Sequence, residues 1–196
     1  MYKSLLRPLL FRLDPELAHE ITVEWLSRAG RFSVTKSLLN QLYGSRVPEL
    51  PVELMGIHFP GPVGLAAGLD KEARCIRALS ALGFGHLELG TVTPKPQSGN
   101  PKPRMFRIPE HQAIVNRMGF NSGGIKPFLE NIARTEKTVP LGINLGKNAI
   151  TPIEHAAEDY ITGLKQLYLY ADYFTINRSS PNTKNLRDLQ SEDALD

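Results

Sequence analysis

The chain has 196 residues, of which 41% are hydrophobic and 22% charged, and its net charge is +3. Cys75 is the only cysteine and the five histidines show no zinc-ligand spacing, which excludes an intramolecular disulfide and indicates no metal site. The sequence contains no apolar run of about 18 residues and no secretory signal, so it predicts neither a membrane span nor export. The excess positive charge lies within residues 1–46 and is too thinly spread to indicate nucleic-acid binding.

Residues 1–46 are predicted to form an arm of three short helices. Leucines recur at helical spacing from Leu5 to Leu13, with basic residues on the other faces. Asp14 is suited to cap a second helix whose first turn holds Pro15 and Glu16, and a third helix is expected around Ser37 to Tyr43. Two interpretations stay open: the apolar faces pack on the following domain, or they meet a bilayer surface with basic residues beside anionic head groups.

Residues 47–196 alternate between predicted strands and helices. A hairpin is predicted at 52–60, and strands are predicted at 63–67, 86–91, 140–145 and 172–177. Helical patterns follow the first three of these strands, and a second hairpin at 104–116 interrupts the order. The pattern predicts an α/β fold with a parallel sheet or barrel.

Polar groups and glycines follow each of the four predicted strands. They are Ala67-Gly68-Leu69-Asp70-Lys71, Gly90-Thr91, Asn144, and Asn177 with Ser180, and Asn116 to Asn121 forms a further cluster after the second hairpin. Because parallel strands end at one face, these groups are expected to converge. Taken singly, each is ambiguous: Lys71 at a helix start is usually solvated, a lone Asn usually belongs to a turn, and Asn177 to Thr183 has the composition of an ordinary turn.

Five ordered segments together resemble dihydroorotate dehydrogenase of the membrane-associated, quinone-reducing class. They are Leu65 to Lys71, Glu88 to Pro94, Asn116 to Asn121, Gly142 to Asn148, and Asn177 to Thr183. The resemblance implies a (β/α)8 TIM barrel that holds FMN above its carboxyl-terminal face. It also implies the oxidation of dihydroorotate to orotate in pyrimidine biosynthesis, with a membrane quinone as acceptor.

The resemblance also implies a role for individual residues, and Ser180 matches the catalytic base. Substrate-binding positions are expected at Lys71, Asn116, Arg117, Met118, Gly119, Phe120, Asn177 and Asn182. Flavin-binding positions are expected at Ala67, Gly68, Leu69, Asp70, Lys71, Thr91, Asn144 and Asn177. His19 and Arg107 fall where the family lines its quinone tunnel, although on pattern alone His19 is an ordinary helix residue.

The presence of Ser180, where the soluble class has cysteine, agrees with the quinone class and with a basic amphipathic arm. The expected location is the cytoplasmic face of the cell membrane, held peripherally by residues 1–46. Residues 47–196 contain only four predicted barrel strands, so we expect the first half of a barrel that neither binds flavin tightly nor turns over alone. The alternative is a non-catalytic half-barrel with a membrane-binding arm, active only when a second half completes it.

Overall fold

The computed structural model describes residues 2–183 and 186–190. A π-helical turn at Tyr2–Leu6 leads into the helices α1 (Arg7–Leu10), α2 (Pro15–Ala29) and α3 (Ser33–Leu42) of the arm. The predicted cap of α2 is present, because the Asp14 carboxylate accepts hydrogen bonds from the backbone N–H groups of Glu16 at 2.9 Å and Leu17 at 3.1 Å. The prediction of a three-helix arm is confirmed.

Seven strands and three further helices follow the arm within the described residues. The strands are β1 (Val52–Leu54), β2 (Ile57–Phe59), β3 (Leu87–Val92), β4 (Met105–Ile108), β5 (Ala113–Asn116), β6 (Leu141–Leu145) and β7 (Tyr173–Ile176). The helices are α4 (Ile76–Ser80), α5 (Ile125–Ala133) and α6 (Ala156–Leu167). Strands β3, β6 and β7 form a parallel sheet in that order, and β1–β2 and β4–β5 are the two predicted hairpins.

The parallel sheet has one apolar face and one polar face. Leu87, Leu89 and Ile143 are fully buried and belong to a core shared with α4, α5 and α6. Because side chains alternate along a strand, Glu88 and Asn144 point to the opposite face. The sheet therefore separates a packed core from a polar interior that leads to its carboxyl end.

The first predicted barrel strand, residues 63–67, is wrong as an extended strand. Only Leu65 forms a parallel bridge, donating to the His86 carbonyl at 3.0 Å and accepting from the Glu88 N–H at 2.8 Å, while Val63 remains 66% exposed. Among the described residues, the backbone hydrogen bonds of residues 63–67 run only to residues 85–88, so the segment has a partner on one side alone. Its backbone path beside β3 nevertheless delivers Ala67 and Gly68 to the carboxyl end of the sheet.

Lys71 does not begin a helix, contrary to the prediction. The helix starts at Ile76, and residues 70–75 form a turn in which the buried Asp70 carboxylate accepts from Arg74 N at 2.8 Å and Cys75 N at 2.7 Å. Ala73 lies in the left-handed region with φ of 55°, which interrupts helical geometry. In the described part of the chain, no helix is long and apolar enough to cross a membrane.

Candidate active site

The carboxyl ends of the three parallel strands are joined by a chain of side-chain hydrogen bonds. The Thr91 hydroxyl donates to Asn144 Oδ1 at 2.6 Å, and Asn177 Nδ2 donates to the same oxygen at 3.1 Å and to Thr91 Oγ1 at 3.3 Å. Asn144 Nδ2 in turn donates to the Glu88 carboxylate at 2.8 Å. The convergence of strand-end residues predicted from the sequence is confirmed for Thr91, Asn144 and Asn177.

A cavity of about 670 Å³ lies beside this chain of hydrogen bonds. Its walls include most of the predicted site residues, namely His19, Ala67, Gly68, Leu69, Asp70, Lys71, Thr91, Asn116, Met118, Gly119, Phe120, Ser180 and Asn182. These come from the arm, the turn after residue 67, the end of β3, the segment after β5 and the loop after β7. A cavity of this size, with convergent polar groups from separate segments, is typical of a small-molecule site.

Lys71 is the cation of the cavity that is best placed to meet an anionic ligand. Its ammonium group donates to Asn121 Oδ1 at 2.5 Å. Burial, reinforced by the nearby Arg104 charge, lowers the pKa of Lys71 to about 8, although Glu16 and Glu72 act in the opposite direction. Lys71 is thus mainly charged at neutral pH, and a bound anion would favour the charged form further.

The loop after β7 is ordered by its own polar side chains. Asn177 Oδ1 accepts from the Ser179 N–H at 3.3 Å, and Ser180 Oγ accepts from the Asn182 N–H at 3.3 Å. Arg178 donates to the Leu189 carbonyl at 2.5 Å, which ties the loop to the helical turn at Leu186–Gln190. These contacts hold Ser180 and Asn182 at the cavity wall.

His19 lies on α2 and contributes to the same cavity. Burial lowers the pKa of His19, and the neighbouring Lys71 charge lowers it further. The imidazole is therefore held neutral at physiological pH, a form that can donate one hydrogen bond and accept another.

Four predicted site residues lie outside the walls of this cavity. Asn144 and Asn177 belong to the hydrogen-bond chain at the strand ends, and the other two are Arg117 and Arg107. The exposed Arg117 donates to the Pro103 carbonyl at 3.0 Å, which supports the chain beside β4. Arg107 donates to the Leu13 carbonyl at 2.9 Å, and its guanidinium lies 4.6 Å from the centre of the Phe11 ring. Both side chains are held by their partners in positions that brace the hairpin and the arm.

Two groups that shape the cavity, the buried Arg104 and the partly buried Gln97, were not predicted from the sequence. Arg104 forms an ion pair with Glu16 of α2 at 2.6 Å, and it also donates to the carbonyls of Ser98 and Asn100. Gln97 donates to the Phe120 carbonyl at 2.9 Å and accepts from Asn148 Nδ2 at 2.9 Å. Each joins segments far apart in sequence, and neither belongs to a strand end, so the strand-end rule gave no signal for them.

The geometry of the cavity is compatible with a flat heteroaromatic cofactor. Gly68 has φ of 114°, and a Cβ atom built there would have no heavy atom within 4 Å, so the backbone at this position faces open space. Thr91 offers a hydroxyl and Lys71 a cation to the same cavity. A backbone without a side chain, flanked by such groups, permits close approach of a ring and hydrogen bonding to its edge.

Comparison with known proteins identifies the family of this chain. The sequence profile of dihydroorotate dehydrogenase matches residues 49–196, and the chain belongs to this family. The dihydroorotate dehydrogenase (quinone) of Chromobacterium violaceum is 57% identical over 100% of this chain and 55% of its own length. That of Acinetobacter baylyi is 55% identical over 100% of this chain and 56% of its own length. The chain thus spans about half the length of these curated relatives.

Two solved structures of dihydroorotate dehydrogenase (DHODH) are similar in fold to this chain. A crystal structure of DHODH from Eimeria tenella in complex with ferulenol is similar with a TM-score of 0.79 and 44% identity, covering 93% of this chain and 48% of the other. The ligand-free Eimeria tenella structure gives a TM-score of 0.78 at the same identity.

Proposed function

We propose that this chain carries the flavin- and substrate-binding residues of an enzyme that oxidises dihydroorotate to orotate, with FMN as cofactor and a quinone as electron acceptor, in pyrimidine (UMP) biosynthesis. The observation that carries the proposal is the meeting of Lys71, Asn116, Thr91, Ser180 and Asn182 at one cavity. These residues come from separate segments, and together they suit a small anionic ring that is polar along its edge. We further propose that the parallel sheet belongs to a (β/α)8 barrel.

Lys71, Asn116 and Asn182 would hold the substrate. Dihydroorotate carries a carboxylate, and a charged Lys71 at one side of the cavity supplies its counter-ion. The side-chain amides of Asn116 and Asn182 can both donate and accept, as the alternating N–H and C=O groups of the substrate ring require. Met118, Gly119 and Phe120 would complete this wall, with Phe120 fixed through its carbonyl by Gln97.

Ser180 is the proposed base that takes the proton from the carbon beside the substrate carbonyl. A serine hydroxyl is a weak base, so it must pass its own proton to a neighbouring hydroxyl or water as it accepts the substrate proton. It also needs a hydrogen-bond donor that stabilises the negative charge that develops on Oγ. The Asn182 N–H, 3.3 Å from Ser180 Oγ, is such a donor. FMN, when bound, supplies the hydride acceptor for the adjacent carbon.

Ala67, Gly68, Leu69, Asp70, Lys71, Thr91, Asn144 and Asn177 are proposed to hold FMN. Asp70 would act through its backbone, because its carboxylate oxygens already accept from Arg74 N and Cys75 N. Asn144 and Asn177 would act through the hydrogen-bond chain that ends at Thr91.

The arm is proposed to lie on the cytoplasmic membrane surface and to admit the quinone past His19 and Arg107. Its outward side chains are unusually apolar, with Leu9, Trp25, Phe32 and Leu38 each more than half exposed. Arg7 and Arg12 lie in the same region, where they could meet anionic lipid head groups. In this proposal residues 1–46 form the membrane arm and residues 47–196 belong to the catalytic domain.

The proposal is tested by following the flavin of the purified full-length protein without oxygen. Dihydroorotate is expected to bleach the absorbance of the bound flavin, and a soluble quinone added afterwards is expected to restore it. Bound flavin that dihydroorotate fails to bleach, while a chemical reductant bleaches it, would contradict the proposed substrate. Recovery with oxygen but not with quinone would contradict the proposed acceptor.

A further inference from the structure

Glu88 is a carboxylate on the polar face of the sheet that the proposed reaction does not use. It is the second residue of β3, in register with Gly142 of β6 and Tyr173 of β7. A Cβ atom at Gly142 would lie 2.2 Å from the Tyr173 ring, so the ring covers this glycine. The absence of a side chain at position 142 thereby brings Tyr173 towards Glu88 across the width of β6.

The Glu88 carboxylate accepts a hydrogen bond from Asn144 and has Tyr173 as a neighbour. Asn144, one pleat closer to the carboxyl end of β6, donates its amide to Glu88 Oε1 at 2.8 Å. Burial, together with the neighbouring Glu88 charge, raises the pKa of Tyr173 to about 12, so its hydroxyl remains a neutral donor. A carboxylate accepts hydrogen bonds through both oxygens, so the NH₂ group of Asn144 suits it.

This contact sets which groups donate and which accept in the hydrogen bonds that join Asn144, Thr91 and Asn177. Because Glu88 can only accept, Asn144 must turn its NH₂ group towards it and its oxygen towards Thr91 and Asn177. The Thr91 proton is then committed to Asn144 Oδ1 at 2.6 Å, and both Asn177 contacts to this pair come from its NH₂ group. Asn177 Oδ1 is consequently left to accept from the Ser179 N–H of the loop that carries Ser180.

We propose that Glu88 is a positioning residue that sets the donor and acceptor order of the strand-end chain Asn144–Thr91–Asn177. Through this order, Thr91 keeps one lone pair that is not used by Asn177, and it can accept from an N–H group on the edge of a heteroaromatic ring in the cavity. The inference deepens the proposed function and rests on it for the identity of the ring. The orientation of the Asn144 amide is independent of any ligand.

The first test is made on the ligand-free protein with Glu88→Gln, which keeps the shape but adds an NH₂ group that can turn either way. Side-chain amide resonances of asparagine, assigned with Asn144→Ala and Asn177→Ala, are compared between the native protein and the variant. The Asn144 and Asn177 resonances are expected to move or to double in Glu88→Gln. Glu130→Gln, on the exposed side of α5, is the matched control and is expected to leave them in place. Unchanged Asn144 resonances in Glu88→Gln would overturn the inference.

The second test measures the dissociation constant and the visible absorption spectrum of bound FMN in the full-length protein. Glu88→Gln is expected to raise the constant about tenfold, as for the loss of one hydrogen bond to a charged group, and to alter the spectrum. Glu130→Gln is expected to change neither. If native protein binds no FMN, the proposed function fails while the amide test still stands. If native protein and Glu88→Gln bind FMN equally and with the same spectrum, the role of Glu88 towards the cofactor is refuted.

Discussion

Ser180 gives the most direct prediction for a single residue. In the full-length protein, Ser180→Ala is expected to slow flavin reduction by dihydroorotate about 10²- to 10⁴-fold, the range of a lost general base. Orotate affinity should change far less, because Lys71 and Asn116 line the cavity without a hydrogen bond to the Ser180 hydroxyl. Rapid-mixing absorbance gives the rate and equilibrium titration gives the affinity.

A hydroxyl outside the site provides the control for Ser180. Ser37 is exposed on α3, and Ser37→Ala is expected to leave both rate and affinity unchanged. Equal losses of rate and affinity in Ser180→Ala would show that the hydroxyl positions the substrate and does not act as the base.

Lys71 predicts a pH dependence of anion binding. Its pKa is lowered to about 8, so below that pH the ammonium is charged and pairs with the carboxylate, and above it the charge is lost. The dissociation constant of orotate should therefore rise by up to about tenfold per pH unit above pH 8, until the pKa of the complex is reached. Titration by flavin absorbance between about pH 7 and about pH 10 measures this.

The variant Lys71→Met separates this effect from other titrations. It should bind orotate weakly and with little change above pH 8, whereas Lys126→Met, exposed on α5, should retain the native profile. A native pH profile in Lys71→Met would assign the dependence to another group.

For individual residues, the sequence indicated which side chains converge but not which contacts hold them in place. Thr91, Asn144 and Asn177 were predictable because parallel strands end at one face. The support from Gln97 and the Glu16–Arg104 pair was not, since each joins segments packed together only by the tertiary fold. The family resemblance placed Arg107 and Arg117 at the site, but their carbonyl partners depend on the local path of the backbone.

The element that links arm and body is α2, through the Glu16–Arg104 pair. Both side chains are only 7% exposed, and the Arg104 hydrogen bond is the main reason that the pKa of Glu16 is lowered. Glu16→Gln leaves a buried guanidinium without its counter-ion and should lower the free energy of unfolding by about 3 kcal/mol. Denaturant unfolding gives this value, and amide exchange is expected to show the loss concentrated in α2.

The Glu16–Arg104 pair also has a pH signature. The pKa of Glu16 in the folded protein lies below the ordinary value of 4.5. The contribution of the pair to the free energy of unfolding is therefore fully present above pH 4.5 and is lost as the pH falls through the folded-state pKa. Glu24→Gln removes the shared carboxylate partner of Arg28 and Arg74, but both pairs are exposed, so the change should have little effect. A double replacement by methionine that fails to recover stability relative to Glu16→Gln would contradict an unpaired charge as the cause.

Periodicity predicted the elements where burial is regular and failed where backbone geometry decides. Helices α2, α5 and α6 carry apolar stripes, and the hairpins show clear turns, so their existence followed from pattern. The stretch at 63–67 reads as a buried strand, yet it pairs only at Leu65. Helix α4 starts late because Ala73 adopts a left-handed conformation and Asp70 bonds to the following turn, and neither is visible as periodicity.

For the whole molecule, the alternation of strands and helices was sufficient to predict a parallel α/β arrangement, because a parallel crossover needs a helix between strands. The choice between packing and membrane contact for the arm was left open by the sequence. Ala18, Val23 and Leu26 of α2 are buried, while Leu17, Ile21 and Trp25 on the same helix are exposed. One face of α2 packs against the body, and the other stays apolar towards solvent. Packing is therefore confirmed for the first face, and membrane contact stays a prediction for the second.

Trp25 makes the proposed membrane contact measurable, because it is the only tryptophan in the chain and is 59% exposed on the outward face of α2. Vesicles that contain anionic phosphatidylglycerol are expected to shift its emission to shorter wavelength, as water around the ring is replaced by lipid. Replacing Leu17 and Ile21 by serine removes apolar area beside it and should weaken vesicle binding severalfold. The matched control replaces Ile161 and Leu164, two exposed residues of α6, by serine and should bind as the native protein does. Equal weakening in both variants, or an emission spectrum that vesicles leave unchanged, would show that the outward face of α2 is not the membrane-binding surface.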